Sequence, residues 1–382
     1  MNFIQVNYAK RIFGLDLMRA VAILMVVSSH VVWILPDLRS FFPELLSVFG
    51  ALGVEIFFVL SGFLIGRILY NLFVQREFTV KTMFYFWIRR WFRTLPNYYF
   101  VLLVNIAILY YLGNSLPEHL WRYFFFVQNL FTEMPWFFPE SWSLSIEEFA
   151  YIIGPLLLYM FLYFLKCNIS RQRLFLLVTL LILVMFLMTR FFYHHHETVR
   201  NMQHWNVNVK AIVLYRIDAI YYGVLAAYLS MVRPKLWFKA RYGSFGLGIL
   251  IFLVMMAVLP IKRIYIETHP AFWNVWYFVI LSLAIALTLP LLATVQTAPK
   301  VVSKPITYIS LLSYSMYLLH YSVVMQLLKF FIPSEQFSGI DMVVYLMVYL
   351  LMVFLSSYLL YVCFEKPMMD LRDKPVIKNR FK

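Results

Sequence analysis

Asp16, Arg19 and His30 lie within residues 13–35, a stretch that is otherwise almost wholly apolar. In a helix the eleven-residue step from Arg19 to His30 turns through roughly 1,100°, about 20° past three full turns, so both side chains share one face about 16 Å apart. Asp16, three residues before Arg19, joins that face. Ionisable groups at membrane depth cost about 2.5–3.5 kcal/mol each on insertion scales, and they face a bundle interior, a partner or a water-filled cavity. The three therefore mark one wall of an active-site channel. Ser143, Glu147 and Tyr151 recur at four-residue steps and make a second polar stripe on one helical face. The adjacent pair Glu147 and Glu148 also suits a plain dipole feature at a helix start.

Further polar residues interrupt apolar runs. Glu55 is a buried carboxylate in Gly53–Phe63, and the Ser61-Gly62 pair after it suits either close helix packing or the shaping of a channel. Arg90 and Arg93, three apart in the basic and aromatic stretch Arg76–Arg93, share a face that can hold a phosphorylated ligand. Attraction to anionic lipid headgroups is the bland reading of the same residues. Arg216 and Asp218 are two apart, point to different sides of a helix, and each require a partner on another helix. Ser313, Tyr317 and His320 follow an i, i+4, i+7 pattern, a polar face on which a satisfied structural histidine is the simplest reading. His194, His195, His196 and His204 fall in an expected outer loop, Tyr193–Val209, without a matching carboxylate and cysteine set, so no metal is assigned.

These residues need a scaffold. The chain has 382 residues, 63% hydrophobic and 13% charged, with a mean hydropathy of +0.77, which excludes a water-soluble domain of this size. About ten apolar runs can span a bilayer as helices, near 13–35, 48–70, 95–113, 144–165, 172–192, 209–231, 243–261, 272–293, 306–331 and 341–364. The expected fold is thus an all-α polytopic membrane protein, with residues 1–382 as a single domain and 367–382 as its basic tail. The first run is too long for a cleavable signal and lacks a small-residue cleavage site, so it is expected to remain as a span. The expected outer loop 114–143, rich in aromatics and prolines, is tolerated at membrane depth where it is buried or lines a cavity.

A net charge of +15 raises nucleic acid as a partner, and the placement of the charge answers it. Of 33 Lys and Arg, 23 fall in the inner segments and five in the outer loops when the N-terminus is set inside. That asymmetry is topological, places both termini in the cytoplasm and leaves no nucleic-acid role. Cys167 and Cys363 then lie at cytoplasmic span ends, where a disulfide is not expected. Ten spans with buried charges also suit a transporter or flippase of a glycan or lipid-linked substrate, but no paired Gly/Pro-interrupted spans occur in corresponding halves.

The order of these stretches resembles acyltransferase family 3, the integral-membrane O-acyltransferases, over essentially the whole chain. Arg19 and His30 match its arginine, ten residues and histidine, and Phe57–Phe63 its phenylalanine-rich Ser-Gly-Phe stretch. Arg90 and Arg93 match its Arg-x-x-Arg, and Trp142–Glu147 its Trp-Ser-Leu-x-x-Glu. Arg216 and Asp218, Ser313–His320, and Glu365 with Pro367 match the later motifs. The sequence departs from some members in lacking the esterase-like SGNH domain fused after the spans, so transfer is expected to be completed without it.

The resemblance implies transfer of an acyl group, commonly acetyl, from cytoplasmic acyl-CoA to a carbohydrate hydroxyl outside the bacterial inner membrane. Acyl-CoA, a hydroxylated acceptor and membrane lipids are the implied partners, with acetyl-CoA as donor substrate and no permanently bound cofactor. His30 is then the base that takes the hydroxyl proton, and Glu147 orients the imidazole as the third member of a triad does. Arg19 steers the donor's polar arm, while Arg90 and Arg93 hold its phosphates by charge-assisted hydrogen bonds. An acetyl-His30 intermediate is the other version of the same mechanism.

Overall fold

The computed structural model describes residues 11–34, 43–164, 169–197, 201–333, 337 and 339–374, with backbone alone at 43–48 and Pro260. Lys10, Arg39, Lys166, Cys167, Arg200 and the basic tail beyond Lys374 lie outside the described residues. No strand occurs among the described residues, and nine helices there are long and apolar enough to cross a membrane. The all-α polytopic expectation is met.

Ten helices carry the architecture. They are α1 (Phe13–His30), α2 (Pro43–Val74), α3 (Val80–Tyr111), α4 (Ser141–Phe164), α5 (Arg171–His196), α6 (Asp218–Val232), α7 (Pro234–Ile261), α8 (Tyr277–Leu292), α9 (Lys300–Leu319) and α10 (Ile340–Leu360). π-helical turns precede α8 at Phe272–Trp276 and follow α9 and α10 at His320–Met325 and Tyr361–Glu365. Helix α2 is the hub, packed against α1, α5, α6 and α8. Its crossing with α6 depends on glycine at both positions. A Cβ on Gly62 would run into the Ile220 carbonyl, and one on Gly223 into the Val59 carbonyl. Of the two readings open for Ser61-Gly62, close packing describes Gly62. By contrast α7 keeps only 11% of its apolar window buried and presents Leu250, Leu253 and Val254 outward, as a lipid-facing helix does.

Several boundaries differ from expectation for physical reasons. The expected third span and the basic stretch before it form one 32-residue helix, α3. A reciprocal capping box between Thr79 and Thr82 starts it well before the apolar run. The sixth span is short: α6 has 15 residues, about 22 Å against a core of about 30 Å. The preceding residues form a π turn at Asn206–Lys210 and a 3₁₀ turn at Val213–Tyr215. Their backbone is satisfied by the outer loop, since Asn129 Nδ2 donates to Ala211 O (2.6 Å) and Trp142 O (3.0 Å), and Val213 N–H donates to Asn129 O (3.0 Å). Within the expected histidine loop, His194–His196 instead end α5, which continues through His196, and His204 lies in a short helix at Met202–Trp205.

The 114–140 segment folds inward. Tyr123, Phe126, Phe137 and Phe138 are buried, and Tyr98 and Tyr123 hydroxyls donate to the Tyr123 and Phe137 carbonyls at 2.8 Å. Phe126 and Phe138 hold positive φ of 59° and 47°, a conformation bulky residues rarely adopt. Packing of both rings into the core maintains it.

Candidate active site

Helices α1 to α4 and α9 surround a cleft lined by Arg19, Arg90, Arg93, Ser61, Ser143, Glu147, Ser313, Tyr314 and Tyr317, among apolar neighbours that include Phe57 and Phe58. The stripe expected on α4 faces it: Ser143 Oγ and Tyr317 Oη are 2.6 Å apart, and Tyr151 Oη donates to Glu147 Oε2 at 3.0 Å. That hydroxyl in turn accepts from Arg90 Nη2 at 3.0 Å and from Ser61 Oγ, and the Arg90 guanidinium lies 4.6 Å from the centroid of the Tyr151 ring. Arg90 is thus steered through a tyrosine that a carboxylate orients. Arg93, half-buried beside it, makes no ion pair or hydrogen bond among the described residues.

At the foot of α1, Asp16 is neutralised mainly from outside the expected triplet. Arg11 donates from Nε (2.7 Å) and Nη2 (2.5 Å), and Ser310 Oγ donates at 2.9 Å. Arg19 Nη1 reaches the same carboxylate only at 3.5 Å. Three guanidiniums, Arg19, Arg90 and Arg93, therefore converge on one end of the cleft with a single carboxylate, Glu147, on its wall. That is an anion-accepting arrangement.

His30 lies beyond the other end. It is not on the cleft wall, which stops at Tyr317, whose ring centroid is 6.0 Å from that of His320. His320, fully buried, brings Nε2 to 3.1 Å from His30 Nδ1, with ring centroids 4.8 Å apart. The ring of Tyr321 flanks His30 at 4.8 Å. The contact expected of Glu147 is therefore not made: Glu147 serves Tyr151 on the arginine side, and the polar neighbour of His30 from another helix is His320. His320 is a satisfied histidine, its Nδ1 against the Tyr317 and Met316 carbonyls, and it also meets His30 of α1 where α9 gives way to the π turn at His320–Met325. Glu140 braces that turn, its Oε1 accepting from Ser322 N–H (3.0 Å) and Oγ (2.6 Å).

Arg216 and Asp218 each meet another helix, as their spacing requires. Arg216 pairs with Glu55, which also accepts from Ser282 Oγ at 2.5 Å. Asp218 takes a bidentate pair from Arg190 at 2.7 Å on both oxygens. These pairs lie outside the cleft and hold α2, α5, α6 and α8 together.

Sequence reasoning missed Arg11, Arg190 and Lys210, and gave Glu148 no role beyond a helix-start dipole. Glu148 accepts from Thr94 Oγ1 (2.9 Å) and Trp91 Nε1 (3.1 Å), so it fixes α4 to α3. Lys210, in the turn before α6, has its amine 5.6 Å from the Trp142 ring centroid. Arg190 and Lys210 did carry a signal, a lone cation in an apolar run, and Arg11 sits at the start of one.

The family model described as an acyltransferase domain, that of acyltransferase family 3, matches residues 12–362. Peptidoglycan O-acetyltransferase OatA of Listeria monocytogenes is 29% identical over 174 residues, 41% of this chain and 26% of that protein. YrhL of Bacillus subtilis, provisionally named a peptidoglycan O-acetyltransferase, is 31% identical over 191 residues, 44% of this chain and 26% of that protein. The chain thus spans about a quarter of the length of these curated relatives. No solved structure matches it.

Proposed function

Because this chain belongs to acyltransferase family 3, we propose that it is a membrane O-acetyltransferase carrying acetyl from cytoplasmic acetyl-CoA to a carbohydrate hydroxyl beyond the bacterial inner membrane. Two relatives named for peptidoglycan O-acetylation support the acetyl group and the glycan class. The observation that carries the reading is the polarity of the cleft, with Arg19, Arg90 and Arg93 at one end and Tyr317, leading to the paired His320 and His30, at the other.

In this reading the CoA phosphates sit on Arg90 and Arg93, where charge-assisted hydrogen bonds are strongest, and Arg19 guides the arm toward the histidines. The acceptor hydroxyl attacks the thioester carbonyl while its proton passes to the His30 imidazole. The C–S bond then breaks, and the imidazole returns that proton to the departing thiolate. Transfer through an acetyl-His30 intermediate uses the same ring, and a burst of thiol release without acceptor separates the two routes. Glu147 acts at one remove, orienting Tyr151 and so Arg90.

The test is labelled acetyl-CoA with purified protein in nanodiscs and soluble peptidoglycan or polysaccharide fragments. Ester-linked label on the glycan with release of free thiol is expected, and His30→Ala in well-folded protein is expected to lower the rate by about 10²-fold or more. An unimpaired His30→Ala variant would overturn the role. Glycan accumulating in vesicles unmodified would make the protein a carrier.

A further inference from the structure

The contacts around the histidine pair leave one proton assignment open. His320 Nδ1 lies 2.8 Å from Tyr317 O and 3.2 Å from Met316 O. Carbonyls only accept, so this nitrogen carries the hydrogen. His30 Nδ1 lies 2.9 Å from Val26 O, so it too carries one. The two rings then meet through His30 Nδ1 and His320 Nε2 at 3.1 Å. If His320 were an imidazolium, two N–H groups would face each other there. His320 must be neutral, with its Nε2 lone pair accepting a share of the His30 Nδ1–H. Ser29 Oγ, 3.3 Å from the same nitrogen, donates its own hydrogen to Val26 O at 2.7 Å and offers only lone pairs to the ring.

We infer that His320 is a positioning residue that shares the His30 Nδ1–H with Val26 O and so holds the ring with its Nε2 lone pair turned toward the reacting hydroxyl. This rests on the acyl-transfer reading for its purpose, not for its geometry. Two backbone carbonyls fix the tautomer of His320, and His320 with Val26 O fixes that of His30. A second imidazole thus does what a carboxylate does in a serine-hydrolase triad. It differs in one respect: the orienting group is uncharged, so no counter-ion sits behind the base. When His30 takes up a proton at Nε2, its Nδ1–H stays on the same two acceptors, and the ring need not turn between receiving a proton and giving it up. Full burial of His320 and the Glu140 brace on its π turn keep the accepting nitrogen in place.

The experiment is nitrogen-15 NMR of histidine-labelled full-length protein in nanodiscs, with turnover measured on the same samples. Neutral His30 with its hydrogen on Nδ1, and a scalar coupling from that nitrogen to His320 Nε2, are expected. His320→Leu is expected to abolish the coupling, leave the His30 Nδ1–H on Val26 O alone so that the ring turns more freely, and lower kcat about 10²-fold with KM for acetyl-CoA unchanged. His320→Gln, whose Oε1 replaces the Nε2 acceptor, is expected to keep the Nδ1–H tautomer and restore kcat to within about tenfold of the native enzyme. A His30 hydrogen on Nε2 in the native protein, or a Gln variant as impaired as the Leu variant, would overturn the inference. The coupling is read without turnover. Coupling present with no acetyl transfer would sink the enzymatic reading and leave the pair standing. Should His320→Leu not fold, the native spectrum and the Gln variant still decide.

Discussion

Arg93 is where the donor reading is most exposed. Its guanidinium has no partner among the described residues, whereas Arg90 beside it is spent partly on Tyr151. A free guanidinium on a cleft wall is poised for an anion, and a hydrogen bond to a charged group is worth about 1.5–3 kcal/mol. Arg93→Ala is therefore expected to raise KM or Kd for acetyl-CoA by about 10- to 100-fold with little change in thermal stability, because no hydrogen bond or ion pair among the described residues is lost. Isothermal titration with acetyl-CoA and with dephospho analogues checks this. Unaltered donor affinity would return Arg93 to lipid headgroups. Much at this scale was legible. The four-residue steps of Ser143, Glu147 and Tyr151 gave a single face because α4 is regular there, and that face lines or serves the cleft. The eleven-residue step from Arg19 to His30 was legible only in part, since Arg19 lines the cleft and His30 lies beyond its end. What could not be read was which groups meet across helices: Glu147 and His320 were equally available to His30 on paper, and only packing chose between them.

Among the elements, two buried ion pairs, Arg216 with Glu55 and Arg190 with Asp218, join α2 and α5 to α6 and the turn before it, and Ser282 adds α8 by a hydrogen bond to Glu55. Arg190 and Asp218 are 0% and 1% exposed, so removing one partner strands a charge at membrane depth. Asp218→Asn is expected to cost about 3–5 kcal/mol, seen as a large fall in Tm in detergent. Arg190→Met combined with Asp218→Leu is expected to recover much of it, since the desolvation cost leaves with the pair. A double variant no better than the single one would refute that account. That Arg216 and Asp218 would each need a partner on another helix was legible from their spacing, although Arg216 itself lies in the turn before α6 and not in the helix. The π turn at His320–Met325 left no such trace, because a one-residue slip in hydrogen-bond register changes no residue type. The shortness of α6 was hidden for a related reason: Val209–Val213 is apolar enough to extend a span, but Asn129 holds its backbone in turns.

At the scale of the whole molecule, hydropathy gave nearly every span, since a helix in lipid must be apolar along most of its length. It failed where protein replaces lipid as the surroundings, as at the start of the sixth span, where residues 209–217 form turns rather than helix. Orientation in the bilayer rests on the bias of Lys and Arg, 23 inner against five outer. In protein with Cys167 and Cys363 replaced, a single cysteine at exposed Glu133 is expected to react with an impermeant maleimide in intact cells. One at exposed Glu77 is expected to react only after lysis. The reverse pattern would invert the topology and put the arginine end of the cleft outside.

The central claim is that one cleft joins a donor on the arginine side to an alcohol on the histidine side. It is tested most directly in proteoliposomes of known orientation, with labelled acetyl-CoA sealed on the face carrying Arg90 and Arg93 and soluble glycan supplied only on the other. The account predicts ester-linked label on the glycan in the opposite compartment, lost when the donor is moved to the glycan's side or when His30 is replaced by alanine. Acetylation that proceeds equally with donor and glycan together on the histidine side would contradict it.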